Sequence, residues 1–457
     1  MDRAPLVSKS SPELNRVGVS DKPVHDWYRF VLSYPPHLVR EYLEKFELGP
    51  GSNVLDPFCG TGTTLVECKK LGIGSFGTEA NPMAHFACQV KTDWSVSGNR
   101  LLEEAQHIAA RAYDELAADG IQDDARDALL AGTLRPRKAA ATKLRSLEPE
   151  RMKLLLSNSI SPRPLHKVLV LLDAIGEHAS QRVRSHLLLA LAKAVVFDSS
   201  NLHFGPEVGV LPKPKPDAPV IGPWLREVDT MARDLRLWRA QRGTSAQVFH
   251  ADARSVGQWV GQGQIDGVIT SPPYPNEKDY TRTTRLEAVL LGFLSDKQSL
   301  RELKQTMLRS NTRGVYKQDD DDRWIEQHPK IHAIADAIEA RRIELGKTSG
   351  FERMYHRVAK LYFGGMARHF SDLRDALRPG AKLAYVVGDQ ASYLRVMIRT
   401  GELLAEIAES LGYRVVSIDL FRTRLATATR EQLREEVLVL EWSGNKRVPT
   451  VAPKRKL

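Results

Sequence analysis

Two short motifs, roughly two hundred residues apart, constrain this chain more tightly than anything else in it. The first is Val54-Leu55-Asp56-Pro57-Phe58-Cys59-Gly60-Thr61-Gly62-Thr63-Thr64, and the second is Thr270-Ser271-Pro272-Pro273-Tyr274. Each closes an apolar run that reads as a buried parallel strand. Asn53 to Leu55 follows the turn residues Gly49, Pro50, Gly51 and Ser52, and Thr63 to Leu71 suits a helix. A strand, a glycine-rich turn and a helix open a Rossmann-like unit, in which glycines let the backbone approach a ligand where a Cβ would collide. The spacing is not the dinucleotide fingerprint, because its third glycine position is Leu65, and no Gly-Lys-Ser/Thr closes a phosphate loop. A second strand, Gly74 to Thr78, ends at Glu79 with Asn81-Pro82 beyond it, and an acid at that tip suits a ribose diol. The plain alternative is a strand–turn–helix whose glycines serve packing only.

The second motif follows the buried-strand run Ile265-Asp266-Gly267-Val268-Ile269. Consecutive prolines fix φ and remove backbone donors, so the carbonyls along Ser271-Pro272-Pro273 are presented rigidly as acceptors. The exocyclic amine of a cytosine or adenine is a poor nucleophile, its lone pair being delocalised into the ring. A carbonyl and a hydroxyl at that amine accept its two protons and hold it toward sp³ geometry. Tyr274 is placed to stack on the base face. Taken alone, a Pro-Pro turn after a strand is the commoner explanation.

Phe58-x-Gly60-x-Gly62 and Ser271-Pro272-Pro273-Tyr274 resemble the cofactor and catalytic motifs of the S-adenosylmethionine-dependent amino-methyltransferases that act on DNA. The Ser-Pro-Pro-Tyr form preceded by Thr resembles the N4-cytosine enzymes, whereas adenine-N6 enzymes more often carry Asp or Asn first. The resemblance extends to Tyr34-Pro35-Pro36-His37-Leu38, where the family has a proline-containing flanking motif. It includes Val248-Phe249-His250-Ala251-Asp252, a third strand ending in an acid that faces the adenine ring. Ala384-Tyr385-Val386-Val387-Gly388-Asp389 resembles the fifth strand, and residues 413–420 and 436–441 the closing strands. The match covers roughly residues 25–92, 246–280 and 355–442. It implies an α/β fold, a Rossmann-like methyltransferase with a mostly parallel seven-stranded sheet interrupted by an inserted helical domain. It implies S-adenosyl-L-methionine held by Tyr34, Pro36, Asp56, Pro57, Phe58, Cys59, Gly60, Thr61, Gly62, Thr63, Glu79, Asn81, Asp252, Ala253 and Ser271. Ser271, Pro272, Pro273 and Tyr274 would carry the transfer. Two features depart from the family: about 170 residues separate Glu79 from Asp252, and no large domain follows the last strand.

The transfer needs no covalent nucleophile and no metal. Carbon-5 cytosine methylation uses a cysteine, usually after a proline, but Cys59 follows Phe58 in the cofactor turn. Cys68 and Cys88 fall in helical patterns, and the three cysteines share no metal spacing, which suits free thiols in a reducing cytoplasm. At 457 residues the chain is long for one domain, and 42% hydrophobic with 27% charged residues is an ordinary globular balance. No apolar stretch approaches the ~20 residues of a membrane span, and the polar segment Met1 to Asn15 has no signal core. The net charge of +10 suits a polyanionic partner, although many basic proteins bind no nucleic acid.

Along the chain, 1–24 reads as an irregular arm and 25–92 as the first part of the methyltransferase domain. Residues 93–244 read as a mainly helical insert, 245–280 as the second part and 281–350 as a DNA-contacting segment. The last part, 351–443, is followed by a basic tail at 444–457. Within the insert the helical segments are Leu101 to Ala117, Arg182 to Val196 and Met231 to Ala240, and Phe204 to Glu207 and Leu211 to Pro216 read as loops. Its basic stretch Arg135-Pro136-Arg137-Lys138 suits phosphates, although a solvated helix start is the commoner explanation. After the catalytic motif, Lys278, Tyr280, Arg282, Arg285, Arg309, Arg313 and Lys317 interleave cations with aromatics, as nucleic-acid grooves do. The acidic run Asp319 to Asp322 reads as a solvated loop.

The leading expectation is a DNA amino-methyltransferase, cytosine-N4-specific, acting on double-stranded DNA as a modification or restriction-associated enzyme. Adenine N6 is the nearest rival target. An RNA amino-methyltransferase and a non-catalytic nucleic-acid-binding protein on the same scaffold are the other readings.

Overall fold

The computed structural model describes residues 18–28, 33–123, 143–205, 207–425 and 432–447. The basic stretch Arg135–Lys138, most of the N-terminal arm and the tail from residue 448 lie outside the described residues.

The described strands are β1 Asn53–Asp56, β2 Gly74–Glu79, β3 Leu202–Phe204, β4 Val208–Val210, β5 Ala246–His250, β6 Ile265–Thr270, β7 Leu377–Gly388, β8 Tyr413–Leu425 and β9 Gln432–Trp442. Seven of them form one sheet in the order β5-β2-β1-β6-β7-β9-β8. All neighbours from β5 to β7 run parallel, while β9 is antiparallel to both β7 and β8. From β1 the chain builds outward through β2 and β5, then returns to place β6 on the other side of β1. The order therefore reverses between β1 and β6, and a crevice opens at the carboxyl ends of strands at such a switch point. Leu55 pairs in register with Val268, so the two motifs, remote in sequence, leave the sheet side by side.

Period-two alternation divides the strand residues between two cores. Val54, Ile269, Ala384, Val386, Val437 and Val439 pack under the helix α1 Pro36–Lys45, through Leu38, Val39, Tyr42 and Leu43. Leu55, Val268, Leu383, Tyr385, Leu438 and Leu440 face the long helix Tyr355–Leu373, through Val358, Tyr362, Phe363, Met366 and Phe370. Both faces are covered, which is why these strands read as continuous apolar runs rather than alternating ones.

The segment between β2 and β5 contains the helices Gly98–Ala118, Pro162–His178, Gln181–Ala194 and Ile221–Leu237. Their buried residues form one core with Met83, Ala87 and Val90 of the helix after β2 and with Leu286 and Val289 beyond the second motif. The insert is thus packed onto the sheet unit rather than tethered to it. Three expectations change here. Pro162–His178 is a helix that the sequence reading passed over. The last helix begins at Ile221, ten residues before the expected Met231. Phe204, expected in a loop, is the last residue of β3, which pairs antiparallel with β4, Leu202 with Val210 and Phe204 with Val208.

Candidate active site

β1 ends at Asp56, and the chain then turns through Gly60 and Gly62 into the helix α2 Thr63–Lys70. Gly60 and Gly62 have φ of +52° and +89°, left-handed values that other residues adopt only under strain. A Cβ on Gly62 would lie 2.7 Å from Cys88 Sγ. A Cβ on Gly60 would meet no atom within 4 Å, because that glycine borders open space.

Asp56 is fully buried and ties the turn to its neighbours. It accepts from Thr270 Oγ1 at 2.6 Å, from Tyr34 Oη at 2.9 Å and from the Phe58 amide at 3.1 Å. Burial raises its pKa to about 6 against the pull of these donors. Asp56 is therefore the buried clamp that joins the first motif to the strand of the second. Glu79 accepts from the amides of Gly60 at 2.9 Å and Asn81 at 2.7 Å. Burial raises its pKa to about 7. Asp252, two residues beyond the end of β5, is held by Arg254, whose Nε lies 3.0 Å from each carboxylate oxygen. Arg254 also pairs with Asp321. Burial works against the Arg254 charge, but the bonds and fields of these two aspartates outweigh it and raise its pKa.

From β6 the chain enters the second motif. Ser271 Oγ donates to the Val386 carbonyl on β7 at 3.0 Å. Its proton is thereby engaged; the Tyr274 hydroxyl interacts with the same oxygen, which keeps a lone pair for a donor in the cavity. The Tyr274 ring lies over Gly388, where a Cβ would come within 3.1 Å of the ring. Burial, followed by the neighbouring Glu435 charge, raises the Tyr274 phenol well above its ordinary value. The Tyr274 amide donates to Tyr280 Oη at 3.3 Å.

A cavity of about 600 Å³ is lined by both motifs. Of the residues expected to hold the cofactor, Tyr34, Pro57, Phe58, Cys59, Gly60, Thr61, Thr63, Glu79, Asn81, Asp252, Ala253 and Ser271 face it. Pro36, Asp56 and Gly62 do not line it; Asp56 and Gly62 belong to the turn itself, and Pro36 opens α1. All four of Ser271, Pro272, Pro273 and Tyr274 line it, as do Lys278 and Tyr280. The other expected nucleic-acid contacts are not among its lining residues. Arg285 is buried, its guanidinium bonded to Thr281 and to the Leu154 carbonyl. Arg309 is buried against Asp319 and three backbone carbonyls. Neither is presented to a phosphate. Arg313 and Lys317 are exposed, and Arg313 lies over the Phe351 ring at 5.6 Å. The acidic run is not a solvated loop: Asp321 and Asp322 are buried, and Asp321 pairs with Arg254 and Arg368.

The site also draws on residues that sequence reasoning left out. His369 is buried edge-on to Phe58, bonded to the Ala253 carbonyl and the Tyr385 hydroxyl, and burial lowers its pKa to about 4. Arg422, Arg424 and Glu435 reach the cavity from β8 and β9, and Glu207 reaches it from the insert's hairpin. Among the described residues no group of His, Cys, Asp and Glu is arranged to hold a metal, and Cys59, Cys68 and Cys88 are buried free thiols. No described helix is long and apolar enough to cross a membrane.

A seven-stranded sheet in this order, with a glycine turn after β1 and an acid at the tip of β2, is the Rossmann-like methyltransferase fold. A family model described as DNA methylase matches residues 15–87, which contain the cofactor motif. The type II methyltransferase M.BsoBI of Geobacillus stearothermophilus is 25% identical over 431 residues, 89% of this chain and 82% of that protein. M.AvaI of Nostoc sp. is 24% identical over 454 residues, covering 92% and 86%. M.MjaII of Methanocaldococcus jannaschii is 39% identical over 70 residues, 15% of this chain and 13% of that protein. Among solved structures, TrmN from Thermus thermophilus aligns with a TM-score of 0.28 at 12% identity, over 92% of this chain and 52% of that one, a likeness too slight to bear on the fold. The family model and these relatives agree in the class of protein the chain is similar to, the DNA methyltransferases, whose methyl donor is S-adenosylmethionine.

Proposed function

We propose that the protein methylates the exocyclic amine of a base in double-stranded DNA, cytosine N4 in preference to adenine N6, as the modification enzyme of a restriction–modification pair. The observation that carries this reading is the single cavity lined at once by the glycine turn and by Ser271-Pro272-Pro273-Tyr274.

The residues present fit S-adenosylmethionine. Gly60 leaves open space where a side chain would stand. Glu79 accepts one amide bond on each oxygen and keeps lone pairs for a ribose diol, and Asp252 follows β5, the strand that pairs with β2. When bound, the cofactor supplies a methyl group already made electrophilic by its sulfonium. The chain's own residues then have three tasks. Ser271 Oγ, its proton given to Val386, accepts from the amine, and the Pro272-Pro273 segment holds the adjoining carbonyls rigid. Tyr274, supported from behind by Gly388, offers its face to the base. The fixed walls of the cavity orient the amine before transfer. A base in a duplex reaches such a pocket only by leaving the stack. The cytosine preference rests on the Thr-Ser-Pro-Pro-Tyr resemblance, which both amine geometries satisfy sterically.

The test is methyl transfer from labelled S-adenosylmethionine to unmodified duplex DNA and, in parallel, to RNA, followed by digestion and nucleoside chromatography. N4-methylcytosine is expected. N6-methyladenine overturns the target base while sparing the reaction class, and label appearing in RNA alone overturns the substrate.

A further inference from the structure

We propose that Lys278 reads the target base: its ammonium donates to the O2 carbonyl of a cytosine held at Ser271–Tyr274, and this contact favours cytosine over adenine. The inference rests on the proposed function and names the residue that would set its specificity.

Lys278 lines the same cavity as Ser271, Tyr274 and Tyr280. Its backbone is fixed on both sides. The amide donates to Asn276 Oδ1 at 3.1 Å, and the carbonyl accepts from Asn311 Nδ2 at 3.1 Å, both from side chains that are themselves buried. The base of the side chain is thus anchored beside the catalytic motif. Of the charged groups around it, Glu207 lines the same cavity and its field, with that of Glu435, favours the ammonium without forming an ion pair, and the others are engaged. Arg422 and Arg424 pair with Glu435, and Glu277 accepts from the Thr312 amide at 3.2 Å and hydroxyl at 2.8 Å. The Lys278 ammonium, half-buried, has no hydrogen-bond or ion-pair partner among the described residues. Burial, then the nearby Arg424 charge, lowers its pKa. A half-buried cation without a partner is a cost to the free protein that an incoming acceptor removes.

The chemistry of the acceptor follows from what the pocket already supplies. Ser271 and the proline carbonyls are acceptors and take the amine protons. What remains of cytosine on that edge is acceptor only, N3 and O2, and lysine is a donor only. Adenine has no exocyclic carbonyl, so it offers nothing at the O2 position. A cation at the end of a long side chain is also what a backbone phosphate attracts, and the experiment separates the two.

The target site is located first, by sequencing DNA modified by the wild-type protein. Wild type, Lys278→Met and Lys278→Arg are then titrated, with a non-transferable cofactor analogue present, against the target duplex and against the same duplex with an abasic target position. The titrations are repeated over a range of salt. Lys278→Met is expected to weaken the cytosine duplex about tenfold while leaving the abasic duplex and the salt slope unchanged, with Lys278→Arg intermediate. Equal loss on both duplexes with a shallower salt slope makes Lys278 a phosphate contact and overturns the proposal. Unchanged binding to both overturns it as well. Cofactor affinity equal to wild type certifies the fold of the variant. Should Lys278→Met fail that check, Lys278→Gln takes its place. N6-methyladenine as the wild-type product overturns both the target-base reading and this contact, and is seen before any variant is made.

Discussion

Replacing Glu79 by Gln tests whether the tip of β2 organises the cofactor turn. The two Glu79 oxygens each accept one amide proton, from Gly60 and from Asn81. Glutamine keeps one acceptor oxygen and puts an NH₂ group in place of the other, so one of these amides loses its partner and meets a second donor. An unsatisfied buried donor, or a bond lost to an ionised acceptor, is worth about 1–3 kcal/mol. Glutamine also replaces one of the acceptor oxygens offered to the ribose diol, and the loss of that bond to the ligand is expected to lower S-adenosylmethionine affinity by about 2 kcal/mol, roughly 30-fold. Isothermal calorimetry measures it, at a pH above the wild-type Glu79 value of about 7, with thermal unfolding of the free protein recorded alongside. Affinity equal to wild type, with both turn amides intact, would refute the reasoning. A loss explained wholly by a lower melting temperature would refute it too.

Further expectations follow from the same geometry. Wild-type cofactor affinity should decline as pH falls through about 7, because protonating Glu79 removes an acceptor from the ribose site. In the free protein the sign is opposite: raising this carboxyl from its ordinary 4.5 favours folding below 4.5, and that contribution is lost as pH rises through about 7. A flat calorimetric profile from pH 6 to 8 (a window of about one unit on either side of that value) would count against it. Ser271→Ala should slow single-turnover transfer by about tenfold or more, the scale of one hydrogen bond, with cofactor affinity unchanged. An unaltered rate would remove Ser271 from the transfer site. Arg254→Met leaves the Asp252 and Asp321 carboxylates without their shared partner. It should lower unfolding stability by about 3 kcal/mol in denaturant titration, and an unchanged midpoint would contradict the buried-pair argument.

What the sequence made legible was local. The strand–glycine–helix signature of Asp56 to Thr64, the acid at Glu79 and the proline pair after Thr270 each declare their geometry within a few residues. The buried parallel strands are apolar enough to be found, although β7 begins at Leu377 and β5 at Ala246, both earlier than their apolar runs suggest. What remained hidden depends on residues distant in sequence. Asp319, Asp321 and Asp322 look like a solvated acidic loop until Arg309 and Arg254 are seen to neutralise two of them. Arg285 and Arg309 likewise look like phosphate contacts until folding directs them inward, where their guanidinium groups satisfy carbonyls and hydroxyls. Charge patterns state that a residue is ionised, not which partner it finds. The bonds that make Asp56 a clamp between the two motifs became visible only through Thr270 and Tyr34, both brought to it by tertiary structure.

The central claim is that one cavity brings the methyl donor and the target amine together. A crystal structure with a non-transferable cofactor analogue and a duplex containing the methylated site tests it directly. The account predicts the adenosyl group between Glu79 and Asp252. It predicts an unstacked cytosine against Ser271 and Tyr274, with its N4 about 3–3.5 Å from the group that replaces the methyl. A cofactor bound away from the Gly60 turn, or a target base left stacked in the duplex, would contradict it.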